Sequence, residues 1–143
     1  MPLLVLVVTL GAAVFQAGQA QPTKYDGTWT AQFNGVTWIR LELRTANGQL
    51  TGGISLGNLE MNADATLKHV DPAPTQLSSI IDVRQKGAVV SFARKDGDDD
   101  DRFEIELIGA ECELRFVLTE EMRKELADDG IPAPKPVRLT RAK

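Results

Sequence analysis

The side chains that most often perform catalysis or bind metals are scarce in this sequence. Its 143 residues include one histidine, His69, and one cysteine, Cys112. A Ser-His-Asp or Cys-His arrangement would have to use His69, which precedes the loop at Asp71-Pro72 and has no nucleophile motif nearby. A zinc site needs three or four ligands, which one histidine and one cysteine cannot supply. We therefore predict no catalytic site, no metal site and no cofactor.

Carboxylates form one dense charged cluster, the run Lys95-Asp96-Gly97-Asp98-Asp99-Asp100-Asp101. Its oxygens could collect Ca²⁺, but their spacing does not match an EF-hand loop. A solvated turn that discourages edge association is the simpler interpretation. Paired carboxylates could also hydrolyse glycosidic bonds, but the strand pattern places none of the 20 Asp and Glu residues on an inward face. An enzyme that uses acidic residues is therefore the least favoured hypothesis.

Aromatic and aliphatic side chains are the remaining candidates, and they indicate binding. Hydrophobic residues make up 43% of the chain, enough for a core, and the net charge of −4 argues against a nucleic-acid partner. The inward positions that could line a ligand pocket are Trp29, Phe33, Leu41, Ile54, Phe103 and Phe116. Trp38 alternates with Arg40 and Glu42, so it is predicted to face a protein partner or to lie beneath the C-terminal segment.

These positions depend on a series of predicted β-strands. Between residues 27 and 118 apolar side chains recur at every second position, and turn residues separate the strands. Asn34-Gly35 and Asn47-Gly48 supply the positive φ angles of tight hairpins. The apolar alternation over 59–68 predicts one half-buried strand. The pattern predicts an all-β fold, an antiparallel up-and-down meander of about eight short strands. We expect it to close into a small barrel, because closure removes exposed edges.

The end of the chain predicts a short helix and a final strand. Thr119 can cap a helix over about 119–129, and Gly130 is suited to end it. The prolines of 131–136 favour an extended connector into a short last strand. Cys112 belongs to the inward set of its strand and is predicted to be buried.

The first residues predict an exported protein. The apolar run that opens the chain is too short to span a bilayer comfortably, and Gly18 and Ala20 form a small-x-small cleavage site. We therefore assign 1–20 to a signal peptide, with Gln21 as the mature N-terminus, and 21–143 to one domain in the periplasm or outside the cell. A retained N-terminal anchor and a buried apolar helix are the alternatives. After cleavage we expect no stable membrane span.

A short motif at the first predicted strand resembles that of a known group. The segment Tyr25-Asp26-Gly27-Thr28-Trp29-Thr30 contains the Gly-x-Trp signature seen at the first strand of lipocalins and avidins, the calycin group of eight-stranded barrels. The stretch 49–55 is similar to the one that follows the first hairpin in avidin-like chains. The predicted helix and final strand follow the barrel much as they do in lipocalins.

The resemblance carries specific implications for a few residues. It implies that a basic residue near the chain end, Arg138 or Arg141, packs over Trp29. It does not imply biotin binding, because Ala31 and Ile54 stand where avidins have a ligand-binding Asn and a Tyr. Two hypotheses lead: a barrel that binds a small apolar ligand, or a filled barrel that serves as an interaction or structural module of the cell envelope. The volume of the interior distinguishes them.

Overall fold

The computed structural model describes residues 22–96 and 99–143. The predicted signal peptide, residues 1–20, lies outside these ranges. Within them, no helix combines the length and the apolar character needed to cross a membrane.

The described chain contains ten strands, one α-helix and one 3₁₀ turn. The strands are β1 (Gly27–Phe33), β2 (Val36–Ala46), β3 (Gln49–Leu56), β4 (Leu59–Met61), β5 (Leu67–Val70), β6 (Ser78–Lys86), β7 (Val89–Asp96), β8 (Asp99–Ile108), β9 (Glu111–Val117) and β10 (Val137–Arg141). The 3₁₀ turn is Pro22–Tyr25 and the helix, α1, is Glu120–Asp128.

Eight of the strands form a closed antiparallel barrel. Their order around it is β1-β10-β9-β8-β7-β6-β3-β2, while β4 and β5 pair as a separate hairpin. The predicted all-β barrel, with one short helix and a final strand, is confirmed. Thr119 caps α1 as predicted, since its hydroxyl accepts a hydrogen bond from the Met122 N–H.

The segment predicted as one strand over 59–68 is instead the β4–β5 hairpin. The Asn62 N–H donates to the Thr66 carbonyl at 2.8 Å, and Ala65 has a φ of +67°. The Asp64 carboxylate accepts a hydrogen bond from the Thr66 N–H, a local bond that favours a turn over extended backbone. The prediction of a single strand was therefore wrong, and β10 supplies the eighth strand of the barrel.

The barrel interior is filled by side chains. Nearly all of the innermost ones are 0–1% exposed: Trp29, Ile39, Leu41, Ile54, Phe92, Ile105, Cys112, Leu114 and Leu139. None of these nine side chains lines any of the cavities described below. The cavities of this molecule that are described below lie at the margins of the barrel.

One end of the barrel is closed around Trp29. Its indole Nε1 donates to the Tyr25 carbonyl at 2.9 Å, and the Arg141 guanidinium lies 4.2 Å from its ring centroid. Arg141 also donates to backbone carbonyls in and just after the 3₁₀ turn. Gly27 permits this approach, because a Cβ there would lie 2.8 Å from Nη1 of Arg141. Of the two arginines considered, Arg141 therefore packs over the first tryptophan.

Candidate functional site: a cleft at the open end of the barrel

The structure places the six predicted pocket residues in three different environments. The ones that belong to the filled interior are Trp29, Leu41 and Ile54. Phe103 and Phe116 reach the end of the barrel away from the 3₁₀ turn, where they line a cleft. Phe33 is half-buried at the end of β1 and is not part of that cleft. Two of the six predicted residues therefore meet at one site.

The cleft lies between the ends of strands and helix α1. Its volume is about 310 Å³. The apolar side chains that line it are Leu56, Leu59, Phe103, Phe116, Val117, Leu118 and Met122. The Phe103 and Phe116 rings meet edge to face, with centroids 5.9 Å apart. These walls offer apolar surface to a small ligand.

An ion pair stands beside these apolar walls. Arg94 on β7 is directly opposite Asp101 on β8, two positions beyond the buried pair of Phe92 and Phe103, so both charged side chains share the inward face. Nε and Nη2 of Arg94 donate to Oδ2 of Asp101 at 3.1 and 3.0 Å. The guanidinium carbon lies 5.8 Å from the Phe103 ring centroid. The pair is held at the cleft by both strands.

The ion pair is partly buried, and some of its hydrogen-bonding groups have no partner. The Arg94 side chain is 17% exposed and that of Asp101 is 31% exposed. Among the described residues, neither Nη1 of Arg94 nor Oδ1 of Asp101 has a hydrogen-bond partner. The pair therefore offers the cleft free N–H groups on Arg94 and a free oxygen on Asp101, with no net charge of its own. Asn58 and Arg102, which bonds to Asp82, also line the cleft.

Neither member of this pair was predicted from the sequence as a site residue. Residues 95–101 were interpreted as a turn, whereas β7 extends to Asp96 and β8 begins at Asp99. The prediction that no carboxylate faces inward was also wrong, because Asp101 does. The available signal was position: Arg94 follows the inward Phe92 by two residues, and Asp101 precedes Phe103 by two.

Of the two environments predicted for Trp38, exposure on the surface is wrong. Trp38 is 1% exposed. Ala31 pairs with Ile39 and Gln32 with Thr37, so Trp38 is the extra residue of a bulge in β2, which breaks the alternation. Trp38 lines a cavity of about 220 Å³ with residues of the β4–β5 hairpin and of the connector 134–136. The alternative prediction, that the C-terminal segment covers Trp38, is correct in part, because the connector 134–136 lines this cavity together with the hairpin.

The lone histidine and cysteine are not part of the cleft. His69 is on the surface, with Nε2 3.2 Å from Oδ1 of Asp71. Cys112 is fully buried, as predicted, and burial raises the pKa of its thiol to about 12. In the ranges that the structure covers, no three His, Cys, Asp or Glu side chains are grouped to hold a metal ion.

Comparisons with protein-family models, curated protein sequences and solved structures gave no match. The closed eight-stranded antiparallel barrel is compatible with a calycin-like architecture. Function must therefore be argued from the geometry of this chain.

Proposed function

We propose that this chain is an exported β-barrel protein that binds a small neutral amphiphile at the open end of the barrel. One observation carries the proposal: a partly buried ion pair with a free donor and a free acceptor stands against an apolar cleft. The apolar N-terminal run and its small-x-small site support export. The Gly-x-Trp motif and the barrel support calycin-like kinship.

The apolar walls would bind the hydrocarbon part of the ligand. Burial of apolar surface contributes about 25 cal/mol for each Å² removed from water. Phe103, Phe116 and Met122 supply such surface in the cleft. The ligand must be small, because the cleft holds about 310 Å³. A chain of about nine carbons is a suitable size.

The ion pair would select the polar group of the ligand. A carboxylate or an ammonium group at this position would be attracted by one member of the pair and repelled by the other, so the small net Coulomb energy would not offset the loss of its hydration. A primary amide or an alcohol can accept from Nη1 of Arg94 and donate to Oδ1 of Asp101 without adding charge. Neutral head groups are therefore preferred over either charged one.

Calorimetric titration with nonanamide, nonanoate and nonylammonium tests this selectivity. With about 0.5 kcal/mol from each of about 11 non-hydrogen atoms, nonanamide should bind with a Kd on the order of 10⁻⁴ M. Both charged analogues should bind at least about tenfold more weakly. Equal affinity for the three would contradict the assigned role of the ion pair.

Two variants and a control place the binding at the cleft. Phe116→Ala should weaken nonanamide binding about tenfold, because it removes an apolar wall. Arg94→Gln should shift the preference toward nonylammonium, because Asp101 then keeps an uncompensated negative charge. Val83→Ala changes a half-buried residue near the opposite end of the barrel and should leave binding unchanged. A loss in Val83→Ala that matches the loss in Phe116→Ala would contradict the location.

The second candidate is a filled barrel that acts as an interaction or structural module without a small ligand. The packed interior favours it, since the central space that a lipocalin-like binder would use is occupied. Absence of binding by all three nine-carbon compounds would favour this candidate over the first.

A further inference from the structure

The barrel is closed by a short ladder between β3 and β6. The paired residues are Gly53 with Ser79 and Ile54 with Ser78. On its other side β3 is paired with β2 along its whole length. Continuing the β3–β6 register toward the 3₁₀ turn would place 49–52 opposite 80–83, but the ladder does not extend there. Two strand edges therefore face each other without pairing.

A bulge in β6 accounts for this unpaired stretch between 49–52 and 80–83, which we call the β3–β6 seam. Ile81 pairs with Ala93 and Arg84 pairs with Ser91, so β6 contains one extra residue between them. Asp82, within the bulge, has a φ of +51°. A bulge bends its strand and interrupts pairing, and such sites are frequent at sheet edges and beside binding sites. The seam is therefore built into the backbone of β6.

A cleft of about 480 Å³ follows the seam. Its lining includes 49–51 from one edge and 80–83 from the other. Leu50, Ile80 and Val90 supply apolar side chains that are 6%, 8% and 2% exposed. The cleft thus combines unpaired backbone edges with buried apolar side chains. Across four positions at about 3.3 Å each, the edges offer roughly 13 Å of strand for pairing.

The rim of the seam carries positive charge. Arg44 is paired in register with Thr51, which lines the cleft, and Lys86 ends β6. Both side chains are exposed, and within the described residues neither has an ion-pair partner. The carboxylate of Asp82, which lines the cleft itself, is paired with Arg84 and Arg102 at 3.2 and 2.9 Å. The chain as a whole has a net charge of −4, so this basic rim is a local feature.

We propose that the β3–β6 seam binds an extended acidic peptide segment of another protein by β-strand addition. Unpaired N–H and C=O groups on a sheet edge recognise another backbone. Side chains of an extended peptide alternate between two sides. One side would place apolar residues against Leu50, Ile80 and Val90, and the other would place carboxylates near Arg44 and Lys86. The preferred segment therefore alternates apolar and acidic residues.

The probe is a capped, fluorescein-labelled hexapeptide of alternating glutamate and valine, measured by fluorescence anisotropy with the full chain. It should bind at least about tenfold more tightly than the alternating lysine–valine peptide at low salt. Two further peptides carry N-methyl groups on odd or on even residues. Because N-methylation removes donors from one edge, at least one of them should bind about tenfold more weakly.

Charge reversal at the rim locates the binding. The double variant Arg44→Glu/Lys86→Glu should weaken the glutamate–valine peptide at least about tenfold. The matched control, Arg123→Glu/Lys124→Glu, reverses two exposed charges on α1 and should change affinity less than about twofold. Nonanamide should not displace the peptide. Failure of the proposal that nonanamide binds at the open end of the barrel would therefore leave the peptide-binding proposal intact.

Three results would overturn the proposal. The first is no binding of the glutamate–valine peptide at millimolar protein. The second is binding of both N-methylated peptides as tight as that of the unmethylated peptide, because the backbone would then not be recognised. The third is a dimer in sedimentation that the rim variant dissociates and the peptide does not, because a second copy of the chain would then occupy the seam.

Discussion

Trp29 and Trp38 are both 1% exposed, but different parts of the chain bury them. Trp29 lies in the barrel interior beneath the Arg141 guanidinium. Trp38 lies at the bulge of β2, in a cavity shared with the β4–β5 hairpin and the proline-rich connector. Alternation along β2 could not reveal this, because the covering segments are distant in sequence.

Replacing either tryptophan with alanine should destabilise the fold strongly. Each substitution removes a large buried ring, so Trp29→Ala and Trp38→Ala should each lower the free energy of unfolding by about 3–5 kcal/mol. Urea denaturation of the two variants and the parent chain measures this. A loss below about 1 kcal/mol for Trp38→Ala would mean that Trp38 is a surface residue after all.

Cys112 should make the fold sensitive to alkaline pH. Burial raises the pKa of its thiol from 9.0 to about 12, so the folded chain keeps a proton that the unfolded chain releases. This contribution to stability is complete below about pH 9 and is lost as pH rises toward about 12. Between about pH 8 and about pH 11 the loss should be roughly 2.5 kcal/mol.

The matched variant for this test is Cys112→Val, which keeps an apolar side chain of similar size. Burial is the main cause that raises the pKa of Tyr25, and this effect of burial is common to both proteins, whereas the smaller contribution of the Cys112 charge is absent from the variant. The variant should therefore lose less stability than the parent over the same pH range in urea melts. Parallel losses would show that Cys112 does not titrate as its burial requires.

At the scale of elements, the local signals in the sequence predicted hairpins well. Asn34 and Asn47 both adopt positive φ, at 50° and 52°, in the two-residue turns expected from Asn-Gly. Thr119 caps α1 where expected. These features depend on neighbouring residues, so a single sequence contains the information.

Elements that depend on competing interactions were harder to predict. The apolar alternation in 59–68 is compatible with one strand, but hydrogen bonds around Asp64 turn the chain. The bulge in β6 has no glycine to mark it, since Asp82 itself adopts positive φ. Both features help to shape the margins of the barrel, where the two clefts lie.

At the scale of the whole molecule, side chains fill the interior, so both proposed binding sites lie at the margins of the barrel. The sequence indicated Phe103 and Phe116, because inward aromatic residues are visible in the alternation. It did not indicate Arg94 and Asp101, because a run of four aspartates conceals the start of a strand. Volume could not be predicted, because it depends on how all eight strands pack together.

The central claim is that a small neutral amphiphile binds in the cleft at the open end of the barrel. Its most direct test is a nonanamide titration followed in ¹⁵N–¹H correlation spectra of the labelled chain. The account predicts progressive shifts of the backbone amides of Arg94, Asp101, Phe103 and Phe116, with little change at Ile54 in the interior. Shifts centred on Ile54 and its interior neighbours, or spread evenly over the barrel, would contradict it.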